Sequence, residues 1–226
     1  MTLDSRLDHL VVAAATLQQG VDWCRETLGL EPGPGGDHPL MGTHNRLLRI
    51  ATPRYPRAYL EIIAINPAAP DPGRTRWFDL DSDAMHRALA QGPRLVHFVA
   101  STSDGPGAVA ALADLGLHRG PLITAQRPTA AGLLRWRISV RGDGQRLYAG
   151  ALPTVIEWGE THPADTMPDC GMALCDLRVS HPQAAQLDAA FRAIGLTGVD
   201  IMEGPPSLTA TLGTPCGERV LDSGGV

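Results

Sequence analysis

The sequence predicts an α+β fold of tandem βαβββ modules followed by a C-terminal βαββ half-module. Three observations predict it. A short apolar strand recurs, as LDHLVV at 7–12, LVHFVA at 95–100 and CDLRVS at 175–180. Each is followed by apolar residues at helical spacing, and each helix leaves through a glycine exit: LGLEPG at 28–33, LGLHRG at 115–120 and IGLTGV at 194–199. The interval hardly changes, with 20 positions from His9 to Gly29 and 19 from His97 to Gly116. One apolar strand is common by chance, whereas three matched units mark an internal repeat.

The elements follow in order. In LDHLVV, alternation places Leu7, His9 and Val11 on one face and Asp8, Leu10 and Val12 on the other. Leu17, Val21, Cys24 and Leu28 then form one helical stripe, with Thr16 as N-cap and Gly29 as the left-handed stop. MGTHNRLLRI and AYLEIIAI read as strands joined by the Pro-containing turn TPRYPR. Residues 72–92 read as a linking helix. The second module repeats the plan: a helix with Val109, Leu112 and Leu115 on its stripe, then the strands LLRWRISV and LYAGALPTVIEWG around the turn RGDGQ. The third unit carries Leu187, Phe191 and Ile194 on its helix, then VDIME and a hairpin around TPCGER. The boundaries are 1–71 for the first module, 72–92 for the linker, 93–160 for the second module and 170–226 for the half-module.

Bulk properties exclude several classes. With 43 % hydrophobic and 4 % aromatic residues, a core must be built from Ala, Leu, Val and Ile. A net charge of −5 and the lack of a Lys/Arg block argue against a nucleic-acid surface, which needs clustered positive charge. No apolar run approaches the roughly 20 residues of a membrane span, and MTLDSRLDHL has no signal-peptide core. A cytoplasmic protein is expected. Cys24, Cys170, Cys175 and Cys216 lack CxxC spacing and are expected as free thiols.

Four residues stand at matched places. Each module has a His in its first strand, His9 and His97, and a Glu among apolar neighbours in its last, Glu61 in YLEII and Glu157 in VIEWG. A carboxylate there is costly unless paired, protonated or bound to a cation. If the modules pair about a two-fold axis, two imidazoles and two carboxylates converge as a shell for a divalent metal. Alternatively each His bonds the Glu of its own module, a structural pair copied by duplication. In the third unit, Cys175 or Asp176 takes the place of the His, so no second site is expected. That unit is expected to cover a sheet edge, in cis or in a homodimer.

Tandem βαβββ units with this His and Glu pattern resemble the vicinal-oxygen-chelate superfamily of glyoxalases, bleomycin-resistance proteins and extradiol dioxygenases. GGDHPLMGTHNRLL at 35–48, followed by YLEI, resembles its glyoxalase-like domain family. The resemblance covers residues 6–160, and 170–226 correspond only loosely. It implies a cupped mixed sheet whose concave side holds a divalent ion (Zn, Ni, Mn or Fe(II)) that chelates a small-molecule substrate with adjacent oxygens. By position the metal ligands are His9, Glu61, His97 and Glu157, with Glu61 or Glu157 also moving the proton. The implied activity is that of a metal-dependent lyase or isomerase. The rival reading is a metal-free protein of the same fold that binds or sequesters a small molecule. An extradiol dioxygenase fits less well, since a two-His, one-carboxylate triad leaves one glutamate without a role.

Further candidates surround these. His38, His44 and Asn45 lie in a glycine-rich segment that either approaches a ligand or forms turns; His38 and Asn45 are taken as substrate contacts. Arg135 and Arg137 share one face of their strand and would grip a carboxylate or phosphate if that face is concave. GPGG at 33–36 lacks the lysine and the following helix of a phosphate-binding loop.

Overall fold

The computed structural model describes residues 3–129 and 132–225. The first module comprises β1 (Ser5–Ala13), α1 (Leu17–Trp23), β2 (Asp37–His38), β3 (Thr43–Arg49) and β4 (Tyr59–Ile65). A linker containing α2 (Asp83–Leu89) leads to β5 (Arg94–Thr102), α3 (Gly105–Asp114), β6 (Leu122–Thr129), β7 (Gly132–Ser139) and β8 (Thr154–Trp158). The half-module comprises β9 (Ala173–Ser180), α4 (Ala184–Ala193), β10 (Asp200–Met202), β11 (Ser207–Thr214) and β12 (Gly217–Asp222). Thr16 caps α1 by accepting the Gln19 N–H, and α1 continues into a π-helical turn at Cys24–Leu28. The helix exits Gly29, Gly116 and Gly195 have φ of 74°, 77° and 66°, the left-handed conformation that glycine adopts at least cost.

The strand order β2-β3-β4-β1-β5-β8-β7-β6 makes one mixed, eight-stranded sheet from both modules. β1 and β5 pair antiparallel at its centre, with His9 opposite Val99 and Val11 opposite His97. That reciprocal register defines an approximate two-fold relation in which His9 and His97 are equivalent. Each strand has one register shift, at Asp8 between Leu7 and His9 and at Val96 between Leu95 and His97, so these β-bulges are equivalent too. The sheet curls until its edges meet, for Gly36, just before β2, lies against the Arg127 guanidinium of β6.

The convex side carries the larger core. Leu10, Val12, Cys24, Leu28, Phe98, Leu112 and Val155 pack there with Leu177, Leu187, Leu208 and Leu212 of the half-module. The half-module's sheet, β10-β9-β11-β12, therefore stacks on a face and does not cap an edge as expected, and Phe191 of α4 meets Phe98 edge-on at 6.2 Å. The concave side holds Val11, Ile63, Val99, Trp136, Ile138 and Ile156, and the linker lays Phe78, Leu80, Met85 and Leu89 against them. Phe78 and Asp79 both have φ near 60°, held there by the Arg146 Nε–H bond to Asp79 Oδ2 at 2.8 Å.

Three details depart from the sequence pattern. Only residues 83–89 of the linker are helical. LYAGALPTVIEWG is a strand only from Thr154, because Tyr148 and Ala149 adopt left-handed backbone angles in a 3₁₀ turn. Leu115, expected on the α3 stripe, is exposed, and Ala108, Leu112 and Leu117 fill its place. No helix among the described residues is long and apolar enough to cross a membrane.

Candidate functional site

The bulge in β1 departs from simple alternation and creates the centre of the site. Leu7 packs with Leu10 and Val12 on the convex side, while the Asp8 carboxylate turns to the ring of its neighbour, His9. His9 Nδ1 lies 2.6 Å from Asp8 Oδ1. The other oxygen, Oδ2, accepts Trp158 Nε1–H at 2.8 Å and pairs with His162 Nε2 at 3.0 Å. His162 Nδ1 accepts the Ala164 N–H, which leaves its Nε2 as the donor to Asp8. Burial alone would raise the Asp8 carboxyl, but the hydrogen bonds from His162 and His9 outweigh it and hold the group well below the usual carboxylate range. The ring of Tyr59 stacks on His9 at 4.5 Å. Burial first, then the Asp8 and Glu61 charges, keeps Tyr59 a neutral phenol.

Glu61 reaches the same place from β4. It pairs with Val11 in parallel register and so shares its face with His9. Glu61 Oε2 is 3.7 Å from His9 Nε2, close but beyond hydrogen-bond distance. Its other oxygen accepts Asn45 Nδ2–H at 2.6 Å. The same amide nitrogen is 3.3 Å from His38 Nε2, and Asn45 Oδ1 accepts the Gly36 N–H at 2.8 Å. His38 Nδ1 faces Thr43 Oγ1 at 3.0 Å. Burial dominates His38, pushing its pKa down to about 4 against the opposing pull of Glu61. His38 and Asn45 thus join the predicted site, while His44 occupies the other parity of β3.

The second module does not supply the other half. His97 is completely buried, and both ring nitrogens are engaged: Nδ1–H with Gly150 O at 3.0 Å, and Nε2 with the Thr154 N–H at 3.1 Å. Burial, then the Arg119 and Arg146 charges, drives its pKa well below the ordinary value. The register counterpart of Glu61 is Thr154, which pairs with Val99 as Glu61 pairs with Val11. Glu157 lies three residues further, on the opposite parity. It turns to the helix side, where Oε2 accepts the Gly105 N–H at the start of α3 at 2.8 Å and Oε1 pairs with Arg137. Arg137 is bound there, and Arg135, of the same parity, is exposed. It is Trp136 and Ile138 between and beside them that face the concavity.

A divalent metal therefore does not fit His9, Glu61, His97 and Glu157, which lie on two faces with the His97 nitrogens engaged. Among the described residues, no three His, Cys, Asp or Glu side chains form a group suited to a metal ion.

What the fold assembles is a one-sided polar site, a small recess between two larger cavities, one of about 520 Å³ and one of about 600 Å³ that shares Leu47, Arg127, Leu134 and Pro163 with the recess. A recess of about 30 Å³ is lined by His9, Glu61, Asn45, His38 and Arg127. It adjoins a cavity of about 520 Å³ through the shared walls His38, Trp77, Trp136 and Ile138. Arg127 Nε and Nη1 and Trp77 Nε1 are buried without a hydrogen-bond partner among the described residues. The sequence pattern had not singled out Asp8, His162, Trp77 or Arg127. For Asp8 the signal was present, a charge inside an apolar strand.

The glyoxalase-like domain family model matches residues 7–195, and the chain belongs to that family. A hypothetical protein from Staphylococcus aureus has a similar structure, with 14 % identity and a TM-score of 0.59 over 89 % of this chain and 87 % of that one. Methylmalonyl-CoA epimerase from Streptomyces coelicolor, in complex with 2-nitronate-propionyl-CoA, aligns at 19 % identity and a TM-score of 0.44, over 71 % of this chain and 99 % of that one. The epimerase from Mycobacterium tuberculosis aligns at 18 % identity and 0.37, over 67 % and 85 %. No curated protein sequence matches the chain. At these identities the likeness is one of fold.

Proposed function

We propose that the chain is an isomerase or lyase that moves a proton next to a carbonyl in a small substrate with adjacent oxygens. The observation that carries this reading is the pair His9 and Glu61, 3.7 Å apart across a recess, with the far nitrogen of His9 held by Asp8. Glu61 takes the proton from the carbon, and the C–H electron pair becomes the C=C bond of an enol, or of an enediol where that carbon bears a hydroxyl. The carbonyl oxygen takes a proton from His9 Nε2, whose positive charge Asp8 balances from behind. Reversal of the two transfers on the neighbouring carbon completes an isomerisation, and departure of a leaving group completes a lyase reaction. Asn45 fixes the carboxylate, and the Arg127 guanidinium offers its donors to an anionic oxygen.

No step runs through a metal, because the donor set favours direct proton transfer. Four free cysteines among the described residues suit a reducing, cytoplasmic setting. The test is deuterium uptake at C3 of 2-oxobutanoate in D₂O, followed by NMR. Exchange by the wild-type protein and its loss in folded Glu61→Gln supports the reading. Binding without exchange favours a binding or sequestering protein.

A further inference from the structure

We propose that the substrate carries an apolar body, aromatic or branched alkyl, seated in the cavity of about 520 Å³ walled by Trp77, Trp136 and Ile123, behind an anionic head at Arg127; this rests on the proton-transfer reading of the same site. Three observations converge. The recess beside His9 and Glu61 measures about 30 Å³, room for the reacting atoms alone, since a single water needs about 10–15 Å³ on this scale. The adjoining cavity measures about 520 Å³, within the range of sites that enclose whole organic ligands. Trp77, Trp136, Ile123, Ile138, Val140 and Met41 give it apolar walls; of its polar lining residues Asp37, Thr124 and Gln126 are exposed, and the buried His38 stands at the wall shared with the recess. A purely polar substrate would leave this apolar surface without a partner.

The strand β6 sets the direction. Ile123 and Ala125 line the large cavity and Arg127, two residues on, lines the recess. Alternate residues of a strand share a face and lie about 6.5 Å apart. A ligand along β6 with its carboxylate at Arg127 therefore runs its body past Ala125 to Ile123, a length of about 13 Å. The Arg127 guanidinium lines the recess and has no ion-pair partner among the described residues, so its charge suits a carboxylate, and Trp77, which lines both spaces, borders the adjacent carbonyl oxygen.

The test uses 2-oxobutanoate, 4-methyl-2-oxopentanoate and 2-oxo-4-phenylbutanoate as probes, with Kd read by tryptophan fluorescence and calorimetry. Kd is expected to fall at least 10-fold from the first to the last. Ala125→Trp, which fills the cavity, should reduce that ratio below 2-fold. Should this variant fail to fold, Ala125→Gln tests the same space with an amide. Arg127→Gln should weaken all three probes by a similar factor. Equal affinities in the wild-type protein, or no binding of any probe at millimolar concentration, overturn the proposal. Deuterium exchange on the same samples separates the two ideas. A rising affinity without exchange keeps the apolar subsite and sinks the catalytic reading; exchange that ignores the apolar body does the reverse.

Discussion

Asp8 and His9 are neighbours in one strand, yet the Asp8 Oδ1 atom lies 2.6 Å from His9 Nδ1. Regular pleating would send the two side chains to opposite faces, and the bulge at Asp8 turns them together. The equivalent bulge in β5 holds Val96, and the counterpart of Glu61 is Thr154. The two modules have the same backbone plan, but only the first has the acidic side chains, while the linker packs Phe78 5.1 Å from His97 in the second. The half of the cup to which we assign the chemistry is thus the half with Asp8 and Glu61.

Asp8→Asn tests the dyad. The amide keeps the shape but cannot balance a charge on His9 or fix its tautomer. Exchange at C3 of 2-oxobutanoate should fall about 10²–10⁴-fold with little change in Kd, since Asp8 does not line the recess. Asp8→Ala should in addition lower stability by about 3 kcal/mol in urea, because Trp158, His162 and His9 lose their acceptor. Unchanged exchange in Asp8→Asn would remove Asp8 from the mechanism.

Stability should fall as pH drops from 6.5 to 4. His38 has its pKa pushed down to about 4 by burial, whereas in the unfolded chain it takes up a proton near 6.5. Between those values the unfolded state binds more protons, so acid favours unfolding. The loss for His38 amounts to about 3 kcal/mol by pH 4, at about 1.4 kcal/mol per pH unit, and His97 acts in the same direction. Urea midpoints at pH 7.5, 6 and 5 should decline steadily, and His38→Gln should flatten the slope. A midpoint that holds constant over that range contradicts the buried, neutral assignment.

Glu157 should be dispensable for chemistry. Its carboxylate serves the Gly105 N–H and Arg137 on the helix side, and Arg137 is 44 % exposed, so the ion pair itself is weak. Glu157→Gln should cost about 0.5–1 kcal/mol of stability and leave exchange within about 2-fold. A metal ion bound stoichiometrically by the wild-type protein and lost in this variant would overturn the placement.

Much of this was legible in the residues, and what was not has particular causes. The repeat and the helix exits follow from spacing; that His9 and Glu61 share a face is an expectation conditional on how the strands pair, and the regular parallel register of β1 and β4 supplies it. Glu157 looked equivalent because VIEWG, like YLEII, puts a carboxylate among apolar residues. Alternation reveals that two residues share a face but not which face is concave, and three positions separate Glu157 from the true counterpart Thr154. The same ambiguity misplaced Arg135 and Arg137. His162 was beyond reach for another reason: it meets Asp8 across 154 positions of chain from a loop, and no periodicity encodes such a contact.

Gly35 explains why the glycine-rich segment before β2 matters to the site. A β-carbon there would lie 2.1 Å from the Asn45 carbonyl oxygen and 2.2 Å from Asn45 Oδ1, so at Gly35 the segment closes directly on Asn45. Gly35→Ala must push Asn45 aside, and with it the Nδ2–H bond to Glu61 at 2.6 Å. Stability should fall by about 1–3 kcal/mol and exchange by at least about 10-fold, because a misplaced carboxylate loses its alignment with the carbon. Gly33→Ala is the matched control. Its nearest neighbour, the Leu47 carbonyl oxygen, lies 3.3 Å from the added carbon, a gap closed by a small shift, so stability should change by less than about 1 kcal/mol and exchange should persist. Parallel urea titrations and exchange assays on the two variants decide the point: equal effects would mean that the segment acts only as a turn, and a loss confined to Gly35→Ala would show that its close approach holds Asn45, and through it Glu61, in place.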